Sequence, residues 1–437
     1  MKIELIFLLS LLVVIGCNLD KSNDSSSEAS RTSDSTEIAE QTNQKLANLT
    51  KKAQNQESKL EFAEAAETWL QICQEVSQRF GDNSWQLRNA MLAYEGAVQR
   101  ARFNTEQIES WQQITDLNNQ IKSALKEGDL KSALKLSQRV LKLRTKLYGD
   151  ESIQVGQSLI QLATIQSRLN QVQNGVRNYH AGVRLLKHYG FADHPELELA
   201  HAGLAALYSQ QEKYAPAAAN QKEAARIAGA IWGQNSPNFA VQANQLGVIY
   251  HRAGNLTVAE EILRRTRQIR ESALGADHEA FAQSCVNLGI VFMDKQDIPA
   301  ASEQLELALQ VLRDHDVASD PIALQCKSQL ATIYMLQKRP RLAEPLLDDI
   351  VRSLEKSANV DTENLLSHQY RLAIALSRQG KYELARPLLE SLLPHQIERF
   401  GESDPKTIAS MRAYALLLER TDHPQSAVEV RNQIDRV

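Results

Sequence analysis

His194 and His201 stand seven residues apart, Cys73, Cys285 and Cys326 are scattered singly, and the carboxylates are dispersed at the spacing of solvated helix faces. Metal chemistry would need ligands grouped as in HExxH, paired CxxC or an EF-hand loop, and none of these motifs is present. Phosphate-cradling loops of the GxGxxG and GxxxxGKS types and the GxSxG nucleophile elbow are missing too. The residues therefore predict a protein that is not an enzyme and has no catalytic, metal or cofactor site. The formal net charge of -4, without a long basic run, argues against a nucleic-acid partner, which needs clustered Lys and Arg to neutralise phosphates.

One thiol has a chemical context of its own. Cys17 closes MKIELIFLLSLLVVIGC, in which Lys2 precedes an apolar run from Leu5 to Ile15. That run is too short to span a bilayer and reads as the h-region of a signal peptide. Val14-Ile15-Gly16-Cys17 resembles the lipobox of bacterial lipoproteins. The resemblance implies that residues 1–17 are a lipoprotein signal peptide and that Cys17 receives a diacylglycerol and becomes the new N-terminus. Residues 18–36 contain a single Leu and no aromatic, so they bury too little apolar surface to offset their ordering entropy and read as a disordered tether. Together these features predict an exported protein, lipid-anchored to a bacterial membrane and facing the periplasm or the exterior. The remaining three cysteines, odd in number and without a close pair, read as small buried helix residues.

The elements that would position any site repeat with a period of 42 residues. Leu162, Leu204, Leu246, Leu288, Leu330 and Leu372 share one column, with Tyr414 next. A small residue follows each of them, and a second small column runs through Ala133, Gly175, Ala217, Ala259, Ala301, Ala343, Ala385 and Ala427. A large residue stands four past the leucine at Tyr208, Tyr250, Phe292 and Tyr334. This spacing predicts two antiparallel helices per repeat, the small side chains allowing close approach and the Leu and Tyr filling the space beside them. Ser110, Ser152, His194, Ser236, His278, Asp320, Thr362 and Asp404 fall at helix starts, four of them followed by Pro. Gly149, Gly233, Gly275 and Gly401 mark helix ends, with Asn359 standing in once, and all are expected in the left-handed conformation. Val317 occupies that column in one repeat, so the turn there should differ. Pro394 predicts a kink or early stop in its helix.

Leu, a small residue, an aromatic and a distant Ala in this order resemble the tetratricopeptide repeat. The surplus over its usual length lies at the end of the second helix and the following turn. That placement resembles the long repeats of kinesin light chains and their bacterial relatives. The resemblance covers residues 103–437 as about eight repeats and implies an all-α fold, a right-handed superhelical solenoid of antiparallel helix pairs. Ahead of it, residues 37–102 read as a helical hairpin, roughly 37–54 and 59–80, plus an extra helix over 85–102 without an obvious partner. At the far end Ala427, Val430, Ile434 and Val437 form the apolar stripe of a capping helix.

The family binds protein or peptide ligands in a concave groove lined by the first helices. Carried over column by column, the groove residues are Asn244, Val248, His251 and Arg252; Val286, Asn287, Ile290 and Met293; Ser328, Thr332 and Met335; and Tyr370, Ile374 and Arg378. Val286, Ile290, Met293, Met335, Tyr370 and Ile374 would make an apolar floor rimmed by Arg252 and Arg378. The paired Asn with which kinesin light chains hold cargo is matched only by Asn244 and Asn287, in different columns, and the lysines with which chaperone-binding relatives clamp a carboxylate are missing. The sequence thus predicts a membrane-anchored scaffold for protein partners in the cell envelope; the alternative is a structural assembly subunit of an outer-membrane or pilus biogenesis complex. Oligomeric state is left open.

Overall fold

A computed structural model describes residues 32–313, 315, 320–357 and 362–436, with side chains from residue 41 onward. The signal peptide, Cys17, Val317, Asn359 and Val437 lie outside the described residues. Among the described residues the chain forms nineteen helices and no strand. It divides into two compact units, one ending at Ala253 and the other beginning at Gly254.

Unit 1 contains α1 (Thr32–Ser58), α2 (Phe62–Phe80), α3 (Trp85–Arg100), α4 (Thr105–Glu127), α5 (Leu130–Tyr148), α6 (Ile153–Arg168), α7 (Val172–His188), α8 (Pro195–Gln210), α9 (Tyr214–Trp232) and α10 (Pro237–Arg252). Unit 2 contains α11 (Leu256–Leu274), α12 (Glu279–Asp294), α13 (Ile298–Leu312), α14 (Pro321–Leu336), α15 (Pro340–Lys356), α16 (Thr362–Ser377), α17 (Tyr382–Phe400), α18 (Pro405–Arg420) and α19 (Pro424–Asp435). Helix α1 starts at Thr32, so the last residues assigned to the tether belong to a helix instead.

Within each unit successive helices pack on one another, α3 and α4 excepted, and the two small columns are buried among them. Ala133, Ala217, Ala259, Ala301, Ala343, Ala385 and Ala427 are all fully buried, as are Ala163, Ala205, Ala331 and Ala373. A larger side chain at these positions would push the paired helices apart, at a typical cost of ~1–3 kcal/mol per overpacked site. Leu162, Leu204, Leu246, Leu288, Leu330 and Leu372 are buried beside them, and Cys73, Cys285 and Cys326 are buried free thiols on helices. Burial pushes the Cys285 and Cys326 thiols up to about 12, which leaves them unreactive.

Helix starts follow the capping column at six of its eight positions, and Thr362 is itself the first residue of its helix. Ser152, His194, Ser236, His278, Asp320 and Asp404 each accept a hydrogen bond from a backbone N–H of the first turn. Ser110 does not. Helix α4 begins earlier, at a capping box in which Asn104 accepts from the Gln107 N–H and the Gln107 side chain accepts from the Asn104 N–H. Ser110 sits inside the helix, its hydroxyl donating to the Glu106 carbonyl. The helix-end glycines depart from the left-handed helical conformation: Gly275 has φ 95° and ψ 157°, and Gly401 φ 89° and ψ 164°. This region is reserved almost entirely for glycine, so Asn, which tolerates the left-handed helix, is no substitute there.

Helix α17 runs unbroken through Pro387 and Pro394 to Phe400, so the early stop expected at Pro394 does not occur. Both prolines lie on the exposed side of the helix, opposite buried Leu389 and Leu392. Water can serve the carbonyls that proline leaves without a partner, and the packed face holds the helix together.

Helix α3, which breaks the repeat register, has partners on two sides. It packs on α2, and it reaches the turn between α7 and α8 and the end of α9. At its N-terminal end the Trp85 ring meets His194 and Trp232 edge-on, with centroids 6.1 and 5.8 Å apart. In its middle Arg88 lies against Gly190, Asn89 bonds His194, and Leu92 packs on the core of α6 to α8. At its C-terminal end Arg100 pairs with Glu57 and lies 5.8 and 5.3 Å from the ring centroids of Phe62 and Trp111. Sixteen residues span about 24 Å as a helix, enough to strap several repeats together.

Where the strap meets His194, the start of α8 carries two titratable groups whose burial acts in opposite senses. His194 accepts a hydrogen bond at Nδ1 from the Glu196 N–H and bonds the Asn89 Oδ1 through Nε2, an arrangement that suits the neutral ring. Burial, with nearby Arg88, pushes its imidazole down to about 3. Burial pushes the Glu196 carboxyl up to about 7, against the opposing pull of Gln157 and Arg144. A folded-state value below the unfolded one of 6.5 means that His194 costs stability as pH falls from 6.5 towards 3. A folded-state value above the unfolded 4.5 means that Glu196 costs stability as pH rises from 4.5 through 7. The two nearly cancel between 4.5 and 6.5, and wild-type unit 1 should be close to flat there. Glu196→Gln should uncover stability that rises with pH, and His194→Asn, which keeps a cap, stability that falls with it. Denaturant unfolding at several pH values checks this; identical profiles for both variants would refute it.

Candidate functional site

The site builds from the first helices of the repeats, whose inner faces carry the predicted groove columns. In unit 1, Val248 and His251 are half-buried and Arg252 is exposed, but Asn244 is buried at 2 % exposure. In unit 2 the same column is buried at Val286, at 1 % exposure. These two are corrections: neither Asn244 nor Val286 lines a groove. At Val286 that column points towards the seam between α12 and α14, which touch directly. Bonds from α16 to α14 trace that seam further along the unit. Arg371 donates from Nη1 to the Ser328 hydroxyl and from Nη2 to the Ser328 carbonyl, each at 2.7 Å, and also to the Thr332 hydroxyl. His368 Nε2 lies 3.1 Å from the same Ser328 hydroxyl.

The remaining predicted residues of unit 2 divide in two. Met335 and Tyr370 are half-buried and pack against the core of α14 to α18. Asn287, Ile290, Met293, Ser328, Thr332 and Ile374 are half-buried, and Arg378 is exposed with Nη1 donating to the Met335 carbonyl at 3.1 Å. The apolar floor is therefore smaller than expected and displaced towards the C-terminal repeats. There Leu336, 61 % exposed, and Leu416, 46 % exposed, join Ile374.

Three cations on this face were not singled out in sequence. Arg371 occupies the column just before the leucine, where other repeats carry Gln245, Asn287 and Gln329. Arg412 and Arg420 lie on α18 and were reachable by extending the groove columns one more period, from Tyr370 and Arg378. Both are exposed. Burial without a carboxylate lowers the Arg371 pKa from its usual value.

Comparison with known proteins agrees with this architecture. The model of the family described as "Tetratricopeptide repeat" matches residues 239–314 and 361–433. These two stretches carry tetratricopeptide repeats. No curated protein matches it. The apo form of the quorum sensor NprR from B. thuringiensis shares the fold at a TM-score of 0.51 and 13 % identity, covering 85 % of this chain and 97 % of that one. A Podosopora anserina protein described as a kinesin light chain with nearly identical TPR-like repeats is similar at a TM-score of 0.40 and 23 % identity, over 46 % of this chain and 94 % of its own. BtubC from P. vanneervenii is similar at 0.40 and 18 %, over 58 % and 90 %. Tetratricopeptide repeats are protein-interaction scaffolds, typically without catalysis, and the fold here is a solenoid of helix pairs of that kind.

Proposed function

We propose that this protein is a lipid-anchored tetratricopeptide scaffold that holds protein partners in a bacterial cell envelope. The observation that carries the reading is the inner face of unit 2, where Leu336 and Leu416 stand exposed on first helices beside arginines. Apolar side chains left in water on a contiguous face usually mark a docking surface. The anchor is supported by the sequence: an apolar run that ends in Gly16-Cys17 ahead of a polar stretch. Among the described residues no helix is long and apolar enough to cross a membrane. In this reading the attachment is acylated Cys17, whose several chains together hold far better than a single one would.

Cys17→Ser is expected to abolish attachment, either releasing soluble protein or leaving an uncleaved precursor. Membrane fractionation with mass spectrometry of the N-terminal peptide checks it; signal cleavage with unchanged retention and no acyl mass on residue 17 would sink the anchor. Affinity capture from detergent-solubilised membranes addresses the scaffold itself. A changing set of companions supports an adaptor, and one stoichiometric companion supports a fixed assembly subunit.

A further inference from the structure

Several cations on the surface of unit 2 have a carboxylate in reach. Arg264 pairs with Glu260, Arg352 with Asp348, Lys381 with Glu344, Lys406 with Glu363 and Arg431 with Glu419, all within 3.0 Å. On the inner face of the last two repeats four arginines have none among the described residues. Arg371 and Arg378 bond only neutral acceptors, and Arg412 and Arg420 have no ion pair among the described residues. Arg371 and Arg378 are seven residues apart on α16, Arg412 and Arg420 eight apart on α18, and α16 touches α18. Each pair therefore lies along one side of its helix.

The same side carries apolar residues at interleaved positions. Ile374 lies between Arg371 and Arg378, and Leu416 between Arg412 and Arg420. One column runs Asp294, Leu336, Arg378, Arg420, so the face passes from acidic through apolar to basic along the unit. Clustered arginines repel one another, and partial burial of Arg371 makes its charge harder for water to stabilise. An anionic partner relieves both costs.

We infer that this face binds a peptide segment of a partner protein in which Glu or Asp alternates with leucine-like side chains, carboxylates on the arginines and apolar groups on Leu336, Ile374 and Leu416. The inference rests on the scaffold reading above and adds the chemistry of the ligand. Arginine suits it, since its planar fork meets a carboxylate with two parallel bonds.

The test uses the full chain in detergent and four labelled synthetic peptides of equal length: Glu/Leu alternating, Lys/Leu, Gln/Leu and Glu/Ser. The Glu/Leu peptide should bind, more weakly as salt rises, and the other three at least about tenfold more weakly. Arg378→Glu with Arg420→Glu should lower its affinity by about tenfold or more at an unchanged melting temperature, because both side chains are exposed. Arg352→Glu on the outer helix α15 should leave it unchanged. Equal binding of the Glu/Leu and Lys/Leu peptides, or tighter binding of anionic lipid vesicles or a single-stranded oligonucleotide than of the Glu/Leu peptide, would overturn the inference. Partners captured equally well by the double charge reversal would also overturn it while leaving the scaffold reading standing; capture of no partner by the wild-type chain would remove the scaffold reading itself.

Discussion

Trp85→Ala should detach the N-terminal half of the α3 strap from the repeats of unit 1, at a cost of about 3–5 kcal/mol, the usual range for deleting a buried tryptophan. The ring is 8 % exposed and wedged edge-on between His194 and Trp232. Removing it leaves a cavity between α3, the turn before α8 and the end of α9, which cannot collapse together because each is held by its own repeat. The loss should be local. Arg100, paired with Glu57 and lying over Phe62 and Trp111, still pins the other end of α3. Amide hydrogen exchange should therefore speed up over residues 85–92 and 190–197 and stay slow near residue 100. Trp85→Phe should be far milder. The indole Nε1 is buried without a hydrogen-bond partner among the described residues, so phenylalanine keeps most of the packing and removes an unsatisfied donor. Uniform loss of protection along α3, or equal effects of both substitutions, would count against the strap.

The second large effect is expected at Gly203, in the column just before the leucine, where neighbouring repeats place Gln161, Gln245 and Asn287. A Cβ there would stand 2.4 Å from Cζ and 2.5 Å from Oη of Tyr179. Tyr179 is 2 % exposed, and its hydroxyl lies 2.9 Å from the Thr164 hydroxyl, so the ring has nowhere to go. Gly203→Gln should thus cost about 3 kcal/mol, the upper end of ordinary overpacking. The repeats themselves suggest the rescue. In the column of Tyr179 later repeats carry Leu263, Leu305 and Leu347, and the positions equivalent to Gly203 are then Asn287, Gln329 and Arg371. Tyr179→Leu alone leaves a void and should also destabilise. The double variant Tyr179→Leu with Gly203→Gln restores the pairing used elsewhere in the chain and should recover at least half of the summed losses. A denaturant-unfolding cycle measures that coupling, and strictly additive losses would refute the pairing.

Much of the architecture was legible in the residues because a repeat states each local requirement several times over. The small columns recur because two helices approach at the same point in every repeat, and Ala217 or Ala343 can be read without coordinates. Capping side chains and Pro at the first helical turn act through bonds to the next few residues, so Ser236 and Asp404 mark helix starts by themselves. What remained hidden depends on contacts between residues far apart in the chain. Nothing near Ser110 announces that helix α4 starts at Asn104, since the first repeat is packed against α3 and departs from the period. Nothing near Trp85 announces Trp232. The direction of a groove column was decided by tertiary packing too. A side chain two before the leucine is on the inner side of its own helix, yet whether it meets solvent or the next first helix depends on how closely those helices approach. The approach of α12 and α14 buries Val286, while Leu336 and Leu416 stay in water. Periodicity names the face of a helix; only the packing of its neighbours determines how much of that face stays open.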